Sequence, residues 1–243
     1  MTELFIENWA GWLPGIETID EWKKWSINPH PPDSEVKPDV KFLPMMLRRR
    51  CDLISRMMLS VAHRCLPGDQ LSEVTSVFAS RRGSLVSTVS MLNELTKNEP
   101  ISPMKFSHSV HNTQVGLFSI WGKNQNSSTA LSARKETFEH GFLEAICQLH
   151  REPNRKTILV IGDEPLPKEA AHLSKTPYTP YAIALLLSNN ASENKIQFEL
   201  SPFKSTKFEP RLPSALEFLR FWLSDEKTLT LRSNSRQWNW QRL

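Results

Sequence analysis

The chain has 243 residues, 39% of them apolar, and its 30 Lys and Arg against 26 Asp and Glu give a formal charge of +4. That is enough chain for one sizeable core or two small ones, and no apolar run approaches the roughly 18 to 20 residues of a membrane span. The opening MTELFIENWAGW is acidic and has no basic flank ahead of a long apolar segment, unlike a signal peptide, so a soluble, cytoplasmic protein is expected.

Leu4 to Ile6 alternates enough to start a strand, and Trp9, Trp12, Trp22 and Trp25 crowd the residues that follow. The proline-rich stretch from Pro29 to Pro38 reads as an irregular surface loop. From Pro44, residues Met45, Met46, Leu53, Ile54, Met57, Met58, Val61 and Ala62 recur at helical spacings, which predicts a helix through about His63, stopped by Pro67-Gly68-Asp69. Val74 to Ala79 suits a buried strand, and Gly83 to Leu95 returns to helical spacing. Beyond Pro100 a strand is predicted in SSTALSA and a helix from Glu136 to Leu149. Thr157 to Ile161 and Tyr181 to Leu187 are apolar throughout, as central strands buried on both faces are. Ile196 to Leu200 alternates like a more exposed strand, Ala215 to Leu223 is an amphipathic helix, and the tail carries Trp238 and Trp240. Strands alternating with helices predict an α/β layered fold with helices covering a mixed sheet.

Cys51, Cys65 and Cys147 are odd in number and widely spaced, which fits reduced thiols better than disulfides or a zinc site. No metal and no cofactor is expected; the tryptophans read as core or interface anchors. Arg48 to Arg50 and the group Arg232, Arg236 and Arg242 are local basic spots in an otherwise mixed-sign chain. Charge so dispersed does not argue for nucleic acid and is better suited to docking an acidic protein.

Several segments, in order and with similar spacings, carry a resemblance. LRRRCDLISRMML resembles the segment of β-ketoacyl synthases that opens the first long helix, and VTSVFASRRGSL the strand and turn after it. ISPMKFSHSVHNTQVGLFSI resembles the family's stretch from a Ser-Pro pair to an Asn-x-x-x-Gly turn, and TILVIGDEPLP the strand leading to its Gly-x-Glu. The whole is similar to the short, chain-length-factor-like members associated with aryl polyene biosynthesis. The resemblance implies a truncated thiolase-like fold, with residues 1–188 as the ketosynthase N-terminal half and 189–243 as a short divergent extension.

In active members a cysteine nucleophile opens the helix after the dimer strand. Counting forward from Gly116, and back from Ala145, leads to Lys135 in its place, flanked by Arg134 and Glu136. A lysine is an ammonium at neutral pH unless strongly desolvated, and its acylation leaves a stable amide instead of a transferable thioester. Lys135 reads either as a solvated first-turn residue or as an ion-paired plug in a vestigial pocket. The Lys-x-x-x-Gly-His motif of the family's second half is also missing. Condensation by this chain alone is therefore not expected.

What the resemblance implies instead is a subunit that heterodimerises with a full-length ketosynthase and meets acyl carrier protein indirectly. Its dimer strand is Ser127, Ser128, Thr129, Ala130, Leu131, Ser132 and Ala133, and the loop from Met104 to Asn112 lines the end of the partner's acyl tunnel. Met104, Phe106, His108, Ser109, Val110 and Asn112 are the candidates there. The alternative is a stand-alone acyltransferase or hydrolase on a degenerate thiolase-like fold, using a serine or Cys147; Ser109 between His108 and His111 would be one such pair. Cys147 itself is expected to be a buried structural thiol, because Ile146 and Leu149 adjoin it. A homodimeric scaffold is a third option.

Overall fold

The two apolar runs expected at the centre stand side by side: Thr157–Asp163 and Tyr181–Ser188 pair antiparallel, and every residue of both is buried. The structure, a computed structural model, describes residues 1–30, 36–173, 179–190, 193–203, 212–233 and 235–243. Part of the predicted loop from Pro29 to Pro38 therefore lies outside the described residues.

The strands are β1 (Thr2–Trp12), β2 (Thr75–Ala79), β3 (Ser128–Leu131), β4 (Thr157–Asp163), β5 (Tyr181–Ser188), β6 (Lys195–Pro202), β7 (Thr228–Arg232) and β8 (Arg236–Arg242). They form one eight-stranded sheet in the order β3-β2-β4-β5-β1-β6-β8-β7. Pairing is parallel from β3 through β2 to β4 and antiparallel from there on. The helices are α1 (Ile19–Ile27), α2 (Met45–Arg48), α3 (Leu53–Cys65), α4 (Leu85–Thr96), α5 (Pro103–Ser109), α6 (Thr113–Gly122), α7 (Thr137–Arg151) and α8 (Ser214–Leu223).

Because strand side chains alternate between faces, the sheet divides its apolar residues between two cores. Val77, Leu159, Ile161, Ile183 and Leu185 pack with Phe138, Phe142 and Ile146 of α7 and Phe218 and Leu219 of α8. Phe78, Ile158, Val160, Ala184 and Leu186 face Ile54, Met57, Met58 and Val61 of α3 and Val115 and Phe118 of α6. A bulge in β1 between Ile6 and Asn8 shifts the alternation by one. Leu4 and Ile6 consequently belong to the first core, and Ala10 and Trp12 to the second.

Gly11 is required by this arrangement. A Cβ there would lie 2.5 Å from Cζ2 of the fully buried Trp22 and 3.0 Å from Cδ2 of Leu219, and the Trp22 indole N–H donates to the Gly11 carbonyl at 3.1 Å. Overpacking of this kind costs about 1–3 kcal/mol. Gly11→Ala is expected to lower the chemical denaturation midpoint by that amount of stability.

Three features differ from the sequence reading. The helix predicted from Pro44 to His63 is two, because Asp52 accepts from the Ser55 N–H at 3.0 Å and caps a new start at Leu53. The expected loop from Met104 to Asn112 is largely helix α5: Ser102 accepts from the Lys105 N–H and Pro103 occupies the first turn, a regular helix start. The tail forms β7 and β8, with Trp238 and Trp240 fully buried against Phe198, Phe142 and Phe218.

Candidate functional site

The parallel end of the sheet brings the candidates into one neighbourhood. Strand β3 is an edge, paired among the described residues only with β2. The carbonyls of Ser127 and Leu131 accept from the N–H groups of Ser76 and Ser80, at 3.0 and 3.1 Å. By the period of two, the N–H and C=O groups of Ser128 and Ala130 point away from the sheet. Ser132 and Ala133 lie beyond the strand, in the turn to α7.

That turn is tightly held. Residues Arg134–Glu136 form one turn of 3-10 helix, the Ala133 N–H donates to Oγ1 of Thr137 at 3.0 Å, and the Thr137 hydroxyl donates to the Arg134 carbonyl at 2.8 Å. Arg134 has φ +55°, the left-handed region that non-glycine residues seldom adopt. Lys135 beside it is exposed and, among the described residues, has no ion-pair partner. Glu136 accepts from the indole N–H of buried Trp238 at 3.2 Å. Cationic side chains thus stand at this turn, and neither Arg134, Lys135 nor Glu136 is a thiol. The sequence offered no signal for the strained position at Arg134.

Behind the turn, at the ends of β2 and β4, lies a buried acidic group. Asp163 accepts from the Ser80 hydroxyl (3.0 Å), the Arg81 N–H (2.9 Å) and the Tyr181 hydroxyl (3.2 Å). Burial pushes its carboxyl above the ordinary range, and these bonds oppose the shift. Glu164 accepts from the Val86 N–H at 2.8 Å, in the first turn of α4. Burial, with smaller contributions from the charges of Asp52 and Asp163, raises Glu164 to about 7.

A carboxyl that holds its proton more tightly when folded than unfolded stabilises the fold most below its unfolded value near 4.5, and that contribution is lost as pH rises through about 7. The full swing is about 3 kcal/mol. Glu139 on α7, raised to about 7 chiefly by burial, adds a slope of the same sign. Glu164→Gln keeps the acceptor for Val86 and removes the charge. It is expected to flatten the fall in stability between pH 5 and pH 8, measured by denaturation across that range; an unchanged slope would contradict the assignment.

The remaining candidates lie on α5 and in the short link beyond it. Met104, Phe106 and Val110 are 66%, 59% and 39% exposed, and α5 buries no residue. Lys105 pairs with Glu94 of α4 at 2.6 Å, so the ~100° step per residue sends Met104 and Phe106 to opposite flanks. Met104 aligns with the half-buried His108 one turn on, and Val110 caps the helix in extended backbone. Helix α4 adds Val86, Leu92 and Leu95, exposed by 43%, 54% and 53%. These were not singled out from the sequence, although apolar residues on more than one face of Leu85–Thr96 are the available signal. Asn112 is exposed at the start of α6.

The pair suggested by Ser109 and its histidines does not form. The Ser109 hydroxyl donates to the Phe106 carbonyl at 2.9 Å, and His111 Nε2 is 2.9 Å from the Ser80 carbonyl. Cys147 is exposed, against the expectation of burial: Phe142, Ala145, Ile146 and Leu149 take the inner side of α7, and the residue after Ile146 turns outward. Cys51 and Cys65 are buried, and burial raises both thiols. Among the described residues, no group of three His, Cys, Asp or Glu is placed to hold a metal ion, and no helix is long and apolar enough to cross a membrane.

Residues 22–241 match the family model of the beta-ketoacyl synthase N-terminal domain. Among solved structures, the chain is similar to one in the ketosynthase ApeO in complex with its chain length factor ApeC, from Xenorhabdus doucetiae. The TM-score is 0.84 and the identity 31%, covering 100% of this chain and 100% of that chain. The ishigamide ketosynthase/chain length factor aligns with a TM-score of 0.64 at 13% identity, over 83% of this chain and 68% of that chain. A beta-ketoacyl synthase from Burkholderia phymatum STM815 aligns with a TM-score of 0.63 at 12% identity, over 93% and 71%. No protein of curated function matches the sequence.

Proposed function

The chain belongs to the β-ketoacyl synthase family, and from that membership we propose a role without condensing chemistry of its own: a chain-length-factor-like subunit that pairs with a full-length β-ketoacyl synthase and shapes its acyl tunnel. The mixed sheet with helices on both faces is the thiolase-like fold of the ketosynthase N-terminal half.

The observation that carries the role is the turn between β3 and α7. Arg134, Lys135 and Glu136 occupy it, so there is no thiol to accept an acyl chain. Supporting it is the end-to-end likeness to a chain from a ketosynthase and chain length factor complex. The open edge of β3 fits a partner that continues the sheet, since an exposed strand edge otherwise recruits other chains indiscriminately. The apolar residues left exposed on α4 and α5 fit the same partner.

In this reading the partner holds the growing chain as a thioester, and α5 closes the far end of its tunnel. The substrates are acyl and malonyl groups on acyl carrier protein, which this subunit meets through the complex, in aryl polyene biosynthesis or a similar polyene or fatty-acid-like elongation. Co-expression with the full-length ketosynthase expected beside it, followed by a mass measurement of the purified species, tests the pairing. A one-to-one complex, or a higher assembly with that ratio, is expected. A monomer or homodimer that ignores the ketosynthase would reject the role and direct attention to acyl transfer by the isolated chain.

A further inference from the structure

We propose that His111 fixes the position of the α5 wall and is thereby a specificity-determining positioning residue for chain length; this rests on the tunnel role above. Helix α5 has no buried side chain to seat it, so its place is set by its attachments. At one side Lys105 reaches Glu94. At its C-terminal end the Thr113 N–H donates to the Val110 carbonyl at 3.0 Å, and the Thr113 hydroxyl donates to the Ser107 carbonyl at 3.4 Å. These tie α5 to neighbouring helices and leave its height over the sheet open.

His111 supplies that height. Its Nε2 lies 2.9 Å from the Ser80 carbonyl, and because a carbonyl only accepts, Nε2 carries the proton and donates. Ser80 is itself immobile: its N–H continues the ladder to Leu131 at 3.1 Å, its hydroxyl donates to buried Asp163 at 3.0 Å, and the Gly83 N–H donates to that hydroxyl at 2.8 Å. The imidazole rests on Gly83, whose φ of +57° and missing side chain suit the contact. A Cβ there would lie 3.2 Å from Cδ2 of His111. The chain from Tyr181 through Asp163 and Ser80 to His111 therefore ends one residue after Val110, the C-cap of the helix that carries Phe106.

Three variants test this in the co-purified complex with the ketosynthase, beside Phe106→Ala as the report on the wall itself. His111→Phe keeps a ring over Gly83 and removes the donor; His111→Gln returns an N–H near the position of Nε2. Gly83→Ala leaves His111 intact, displaces its ring by a few tenths of an ångström and strains the backbone at φ +57°. His111→Phe and Gly83→Ala are expected to raise the share of products beyond the wild-type limit by roughly threefold or more, the scale of a wall shifted by less than a methylene. His111→Gln is expected to keep the wild-type product profile. Wild-type profiles in His111→Phe and Gly83→Ala, with longer products from Phe106→Ala, would overturn the role of His111 and leave the tunnel standing. No change in any of the four would overturn the tunnel and this inference together. A profile for His111→Gln as altered as that for His111→Phe would also overturn it, because the donor would then not matter. Should His111→Phe fail to assemble, Gly83→Ala decides.

Discussion

Phe106→Ala is expected to give longer products from the complex with its ketosynthase. One methylene in an apolar pocket is worth only about 1–3 kcal/mol, so a sharp length limit needs a steric wall and not graded affinity. Phe106 is the largest side chain on α5 and stands 59% exposed. Truncation to alanine removes the volume of a six-carbon ring and so opens room for at least one further two-carbon unit. Product length in a reconstituted reaction, read by mass, checks this. Since α5 is a helix, Met104 lies on the other flank, and Met104→Ala is expected to change the length less. The reverse ranking would place the wall on the Met104 flank, and unchanged products from both would remove α5 from the tunnel.

Ala130→Pro is expected to weaken the complex while leaving the chain folded. The Ala130 N–H points out from β3, away from the bonds that join Ser76 and Ser80 to Ser127 and Leu131, and proline is tolerated at such edge positions. A partner strand would lose a donor and keep a desolvated acceptor, a cost of about 1–3 kcal/mol, or roughly 5- to 150-fold in affinity. Thr129→Pro is the contrast: its N–H lies on the β2 side, so it is expected to lower the stability of the chain itself. The ketosynthase affinity of Ala130→Pro, measured beside its denaturation midpoint, separates the two effects. Wild-type affinity would show that β3 does not meet the partner.

The central strands were plain in the residues because TILVI and YAIALLL are apolar without interruption, which only burial on both faces allows. The amphipathic α7 and α8 were plain for the matching reason: one apolar stripe at helical spacing has one use. The tail strands were not. In TLTLR and RQWNWQR the buried leucines and tryptophans alternate with charged and polar residues over short lengths, and neither run announces its pairing partner. The helix break at Asp52 was hidden by apolar spacings that continue across it.

The same division holds for the site. Read alone, the residues carried this family's pattern, and counting along it led to Lys135 as the proposed counterpart of the nucleophilic cysteine, because residue identity and spacing are legible without coordinates. They did not show that α5 is a helix with Met104 and Phe106 on opposite flanks, that Arg134 takes the left-handed turn, or that Cys147 faces outward. Nor did they join His111 to Ser80, or Asp163 to Tyr181. Those facts depend on directions and on contacts between residues far apart in sequence, which exist once the sheet has set its order and the bulge in β1 has set which side chains share a face.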